Sequence, residues 1–104
     1  MSNELTGPLP SPGTVVGDEL KEPQRYKVLM HNDDYTTMEF VVHVLREVFH
    51  KNEAEAVQIM LNIHKNGMGV CGVYTGEVAE TKVALVTRMA KKEGFPLKCT
   101  MEEV

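Results

Sequence analysis

The chain has 104 residues and a formal net charge of −4, with 42% hydrophobic and 25% charged residues. This length suggests one domain, and the composition is typical of a globular protein. The acidic balance argues against a general nucleic-acid binder, which needs clustered Lys and Arg to neutralise phosphates. No apolar run approaches the ~20 residues that cross a bilayer, and no secretory signal pattern opens the chain. We therefore expect a cytoplasmic protein that binds neither nucleic acid nor membrane.

The first 23 residues differ in composition from the rest of the chain. They contain four of the five prolines and three interleaved glycines, and their apolar residues follow neither a helical nor a strand period. Such a segment cannot bury enough apolar surface to offset its ordering entropy. We expect a flexible, disordered N-terminal extension over residues 1–23 and one folded domain over residues 24–104.

Regular patterns begin after this extension. Residues 25–31 predict a strand with Tyr26, Val28 and Met30 on one face. A polar turn follows, and Thr36 with Glu39 predicts an N-cap and a capping box for a first helix. That helix carries apolar residues at the helical period, namely Val41, Val44, Leu45 and Val48.

Two further helices and two further strands are predicted. Asn52 and Glu55 repeat the capping signal, and Gly67 ends the second helix. Residues 68–74 predict a strand, Thr75 and Gly94 bound a third helix, and residues 97–102 alternate as a last strand. The order β-α-α-β-α-β predicts an α+β fold in which three helices pack on a three-stranded antiparallel sheet.

Catalytic motifs are absent from the sequence. No nucleophile elbow, metalloprotease helix or phosphate-binding glycine loop is present. Cys71 and Cys99 lack the clustering of a zinc site, so we expect two buried apolar side chains. We therefore expect no enzyme activity, no catalytic residues, no metal and no cofactor.

Separated motifs resemble one known family, the bacterial ClpS adaptors. They lie at residues 26–28, 32–36, 38–41, 71–73, 77–83, 96–97 and 99–100. The resemblance implies a fold similar to the C-terminal domain of the ribosomal stalk protein, in agreement with the predicted elements. It also implies an adaptor that binds the free N-terminal Leu, Phe, Tyr or Trp of N-end rule (N-degron) substrates. The adaptor would deliver them to the N-terminal domain of the ClpA unfoldase in the ClpAP protease.

The resemblance also implies which residues form the sites. The acceptors for the substrate α-amino group would be Asn32, Asp33, Asp34 and His64. The walls of a hydrophobic pocket for the first side chain would be Met30, Thr36, Met38, Val41, Met60, Ile63 and Leu97. The unfoldase interface would include Glu77, Glu80 and Lys82. The extension would engage the unfoldase during delivery, and we expect a monomer.

Two alternatives remain open from the residues alone. A non-catalytic interaction module could use the same ribosomal-stalk-like fold, because fold does not fix function. Asp33 and Asp34 with His64 could instead hold a divalent cation in a small metal-dependent enzyme. Each polar residue also has an ordinary structural role, in a turn or at a helix end.

Overall fold

The computed structural model describes residues 23–104, so all of the predicted extension except Pro23 lies outside the described residues. The six elements follow the predicted order. They are β1 (Arg25–His31), α1 (Met38–Glu47), α2 (Glu53–Asn66), β2 (Met68–Thr75), α3 (Gly76–Glu93) and β3 (Lys98–Glu103). The predicted α+β class and antiparallel sheet are confirmed.

The sheet has the order β2-β1-β3, and both outer strands run antiparallel to β1. Val28 and Met30 on the central strand are fully buried. The β1–β2 register shifts after Val28, where Cys71 is the extra residue of a bulge. The central strand therefore forms the floor of the core, with an outer strand on each side.

The helices bury their apolar stripes on one face of this sheet. On α1 the buried residues include Val41, Val44 and Leu45, as the helical period predicted. The side chains that α2 and α3 bury in the core are mainly small ones, and Ala56 and Ala79 are fully buried. None of the helices in the described residues combines the length and apolarity needed to cross a membrane.

The start of α1 differs from the prediction. The N-cap is Thr37, whose hydroxyl accepts a 3.1 Å bond from the Phe40 N–H, and Glu39 is one position too early for a capping box. Thr36 lies in the preceding turn instead, where its N–H and hydroxyl donate to Asp33. The helix therefore begins one residue later than the Thr36 signal indicated.

The predicted signals around α2 are confirmed. The Asn52 side chain accepts from the Glu55 N–H at 2.8 Å, and Glu55 accepts from the Asn52 N–H at 3.0 Å. Gly67 ends the helix with a φ of 90°, a conformation that costs other residues about 1–2 kcal/mol. Its carbonyl accepts a 2.8 Å bond from the Asn32 N–H. This bond joins the turn after β1 to the end of α2.

Both cysteines are buried and free, as predicted. Burial raises the pKa of the Cys71 thiol to about 12, with a smaller contribution from neighbouring Cys99. Burial likewise raises the pKa of the Cys99 thiol to about 12. Both thiols stay protonated at neutral pH, which leaves them without nucleophilic character.

A core substitution tests this packing. Leu45 on α1 is fully buried, so Leu45→Ala should lower the free energy of unfolding by about 2–5 kcal/mol. Leu61→Ala on α2 is the matched control because Leu61 is 47% exposed, and it should change stability by less than about 0.5 kcal/mol. Urea unfolding followed by circular dichroism measures both. Equal losses for the two variants would contradict the packing described.

Candidate functional site

A cavity of about 270 Å³ lies between the turn after β1, the start of α1 and the last turns of α2. Its lining combines polar and apolar side chains from separate parts of the chain. They are Asn32, Asp33, Asp34, Thr36, Met38, Val41, Met60, Ile63 and His64. Small-molecule pockets typically span about 300–1,000 Å³, so this Asn32–His64 cavity has room for little more than one amino-acid residue.

The structure brings together most of the residues that the sequence analysis grouped. All four candidate acceptors and five of the seven candidate wall residues line the cavity. Met30 and Leu97 are not among its lining residues; both are buried in the hydrophobic core, as are the lining residues Val41 and Ile63. Met30 lies on the central strand and is fully buried.

Asp33 organises the turn that forms one side of the cavity. Its Oδ1 accepts from the N–H groups of Tyr35 and Thr36 at 2.8 and 2.7 Å. Its Oδ2 accepts from the Thr36 hydroxyl at 2.8 Å. A carboxylate has about four acceptor positions, so three are used in the turn and one remains for a ligand. Asp34 is exposed.

The same bonds set the charge of Asp33. Burial by itself raises the pKa of this carboxyl, but the bonds from the Thr36 N–H, the Tyr35 N–H and the Thr36 hydroxyl outweigh it. The net result is a pKa below the ordinary value of 3.8. Because the pKa of Asp33 is lower in the folded protein than in the unfolded chain, ionised Asp33 stabilises the fold. This contribution is fully present above the unfolded-state pKa. It is lost as the pH falls through the folded-state value.

The charges around the cavity favour a cationic ligand. His64 lies in the last turn of α2, where the helix dipole contributes about half a negative charge. The α1 N-terminus contributes about half a positive charge on the other side. Two ionised carboxylates, Asp33 and Asp34, exceed that opposing half charge, so the polar side of the cavity is net negative.

The apolar side of the cavity consists of α1 and α2 residues. Val41 and Ile63 are buried and Met60 is half-buried, so they form its inner wall. Met38 in the first turn of α1 is 47% exposed. Methionine is flexible and polarisable and adapts to irregular ligands. The cavity can therefore take an apolar side chain beside a positively charged group.

The three predicted interface residues lie near the start of α3. Glu77 and Glu80 are exposed. The Lys82 ammonium donates to the Val48 carbonyl at 2.6 Å, and it also lies 5.3 Å from the centre of the Tyr74 ring. Lys82 therefore caps the end of α1 from α3, while the glutamates face outward.

Two hydrogen bonds of the site were not predicted from the sequence. Thr36 was assigned to the helix cap, although its hydroxyl bonds Asp33. The three-residue spacing from Asp33 to Thr36 is a known local bonding pattern and could have indicated this. The bond from the Asn32 N–H to the Gly67 carbonyl leaves no sequence signal, because any residue except proline supplies those groups.

Metal-binding groups do not cluster in this part of the molecule. Within residues 23–104, no three His, Cys, Asp or Glu side chains are close enough together to hold a metal ion. Asp33, Asp34 and His64 share the cavity but do not form such a cluster.

Comparisons with known proteins agree with this fold. Residues 21–100 match the model of the family described as ATP-dependent Clp protease adaptor protein ClpS. A ClpS from Oleidesulfovibrio alaskensis is 63% identical over 87 residues, which is 84% of each chain. A ClpS from Nitratidesulfovibrio vulgaris strain DP4 is 54% identical over all 104 residues of both chains. The chain belongs to the ClpS family of Clp protease adaptors.

A solved structure of another ClpS protein has the same fold as this chain. It is the structure of Agrobacterium tumefaciens ClpS2 bound to L-phenylalaninamide. It superposes with a TM-score of 0.78 at 41% identity, covering 80% of this chain and 100% of that one. The expected family and its fold are thus confirmed.

The pKa of Asp33 provides a test of the turn. Thr36→Val removes the hydroxyl donor but keeps the N–H, so the Asp33 pKa should rise toward its ordinary value. NMR titration of the side-chain carboxyl carbon measures it. Thr81→Val is the matched control, because the Thr81 hydroxyl donates to the Glu77 carbonyl on α3. The same Asp33 pKa in both variants would contradict the described bonding.

Proposed function

We propose that this protein binds the free N-terminal residue of N-end rule substrates and delivers them to the ClpA unfoldase of the ClpAP protease. The accepted residues are Leu, Phe, Tyr and Trp. The observation that carries the proposal is the Asn32–His64 cavity, in which acidic, amide and imidazole acceptors adjoin an apolar wall. A protein N-terminus presents the complementary pair, a cation followed by one side chain.

The amino group is recognised by charge and by its donors. A free α-amino group has a pKa of about 7.7–8.0, so at neutral pH it is mostly a cation with three N–H donors. The Asn32 side-chain carbonyl and the Asp33 and Asp34 carboxylates can accept from it, as can a neutral His64. Each hydrogen bond to a charged group contributes about 1.5–3 kcal/mol. An internal or acetylated residue lacks the charge and leaves these acceptors unpaired.

The first side chain is recognised by burial. Met38, Val41, Met60 and Ile63 surround the apolar part of the cavity. Burying a Leu or Phe side chain there contributes about 1.5–3 kcal/mol. Small or charged first residues gain none of this, so bulky hydrophobic residues are selected.

The solved relative supports this assignment. Its ligand, L-phenylalaninamide, carries a free α-amino group and a benzyl side chain, and an amide replaces the carboxylate. It therefore resembles the first residue of a peptide that begins with Phe. We infer that this chain takes the same kind of ligand in the Asn32–His64 cavity.

Delivery requires a second surface. We assign it to the start of α3, where Glu77 and Glu80 are exposed and would contact the N-terminal domain of ClpA. Lys82 lies beside them, and two of its three ammonium donors remain after its bond to Val48. Residues 1–23 would engage the unfoldase, with the adaptor acting as a monomer in the cytoplasm.

Acetylation of a peptide tests recognition of the amino group. A ten-residue peptide beginning with free Leu should bind, and its N-acetylated form should bind at least about 100-fold more weakly. The reason is the loss of the charge-assisted bonds described above. Isothermal titration calorimetry measures both affinities. Equal affinities would reject the proposed function.

Removal of the imidazole tests the role of His64. His64→Ala should weaken binding of the Leu peptide by about tenfold or more, the factor expected from losing one bond to a charged group. His64 is exposed at a helix end, so the circular dichroism spectrum should not change. His50→Asn is the control, because His50 lies outside the cavity and Asn tolerates its positive φ of 56°. Equal weakening by both variants would count against a ligand contact.

A further inference from the structure

A second cavity, of about 620 Å³, lies next to the start of α1. It is larger than the Asn32–His64 cavity, and the function proposed above does not use it. Its lining comes from α1, from the end of α3 and from the segment that follows α3. The lining residues are Thr37, Glu39, Phe40, His43, Met89, Lys92, Glu93 and Phe95. We call it the Phe40–Phe95 groove.

The first turn of α1 separates the two cavities. Met38 and Val41 line the Asn32–His64 cavity, whereas Phe40 and His43 line the groove. With about 100° of rotation per residue, these two pairs face opposite sides of the helix. The N-terminal end of α1 therefore lies between the two cavities, and a chain passing from the first cavity to the groove would cross it.

The floor of the groove is aromatic and its rim is charged. The rings of Phe40 and Phe95 lie 5.0 Å apart between centroids, and Met89 and Phe95 are half-buried. Lys92 and Glu93 at the end of α3 are exposed, so both signs of charge are present at the rim. An apolar floor with a polar rim suits one hydrophobic side chain projecting from a solvated peptide backbone.

The helix end between the cavities offers backbone donors. Thr37 accepts from the N–H groups of Phe40 and Val41. The N–H groups of Met38 and Glu39 have no acceptor within residues 23–104. A peptide crossing this helix end could therefore place a backbone carbonyl on one of them.

We propose that the Phe40–Phe95 groove binds a hydrophobic side chain of the substrate, a few residues after its N-terminal residue. This inference rests on the proposed function, because the substrate is anchored in the neighbouring cavity. An α-helix is about 10 Å across, and an extended chain advances about 3.3 Å per residue. The second anchor is therefore about three to four residues beyond the first, at position 4 or 5.

Peptide binding tests the second anchor. The peptides begin with Leu and carry either Phe or Ser at position 4 or 5 in an otherwise Gly/Ser sequence. For at least one of the two positions, the peptide with Phe there should bind about tenfold more tightly than the peptide with Ser there. L-phenylalaninamide serves as the reference ligand because it is too short to reach the groove. Fluorescence competition measures all the affinities.

Two variants assign the effect to the groove. Phe95→Ala removes part of the floor, and His43→Trp fills the space from an exposed position on α1. Each should reduce the Phe advantage to less than about twofold while leaving the affinity for L-phenylalaninamide unchanged. Gln58→Trp, at an exposed position on α2, is the control and should keep the Phe advantage. The His43 variant provides the test even if Phe95→Ala fails to fold.

The outcomes separate this inference from the proposed function. Equal affinities for the Phe and Ser peptides, together with binding of L-phenylalaninamide, overturn the second anchor alone. A Phe advantage that survives both groove variants also overturns it, because the side chain then binds elsewhere. Failure of the wild-type protein to bind L-phenylalaninamide and every Leu peptide overturns the proposed function itself.

Discussion

The backbone hydrogen bond from the Asn32 N–H to the Gly67 carbonyl, 2.8 Å long, joins the two segments that form the candidate site. On one side, β1 ends at His31 and the acidic turn begins. On the other side, α2 ends with His64 in its last turn, and Gly67 turns the chain into β2. Because β1 and β2 are paired up to His31 and Met68, the sheet fixes both ends of this bond. The acceptors and the imidazole therefore meet only in the folded chain.

The second constraint on the site is the set of hydrogen bonds that the Asp33 carboxylate accepts. Three donors from Tyr35 and Thr36 hold it in the turn and keep it ionised. The carboxylate is therefore ordered before any ligand arrives, and less entropy is lost on binding. Its fixed negative charge is complementary to a cationic ligand, while the methionines beside it are flexible. A fixed carboxylate beside adaptable apolar walls is consistent with the proposed binding of several different hydrophobic residues.

Sequence patterns predicted the helices and strands well because the residues that begin and end them are close together in the chain. The capping box of Asn52 and Glu55 and the terminating Gly67 each depend on a few adjacent residues. The start of α1 was predicted one residue too early, since Thr36 belongs to the Asp33 turn and Thr37 caps the helix. The family resemblance grouped Asn32 with His64, but no local rule places them together. Met30 and Leu97 were assigned to the pocket wall, and only the three-dimensional packing shows that they are not among the residues that line this cavity.

The central claim is that both segments contact one ligand through its free amino group. Backbone amide NMR during titration with L-phenylalaninamide tests it most directly. We predict that residues 32–36 and 63–67 shift together along one saturation curve, and that N-acetyl-L-phenylalaninamide shifts neither segment. Shifts confined to one segment, or equal shifts with the acetylated compound, would contradict the claim.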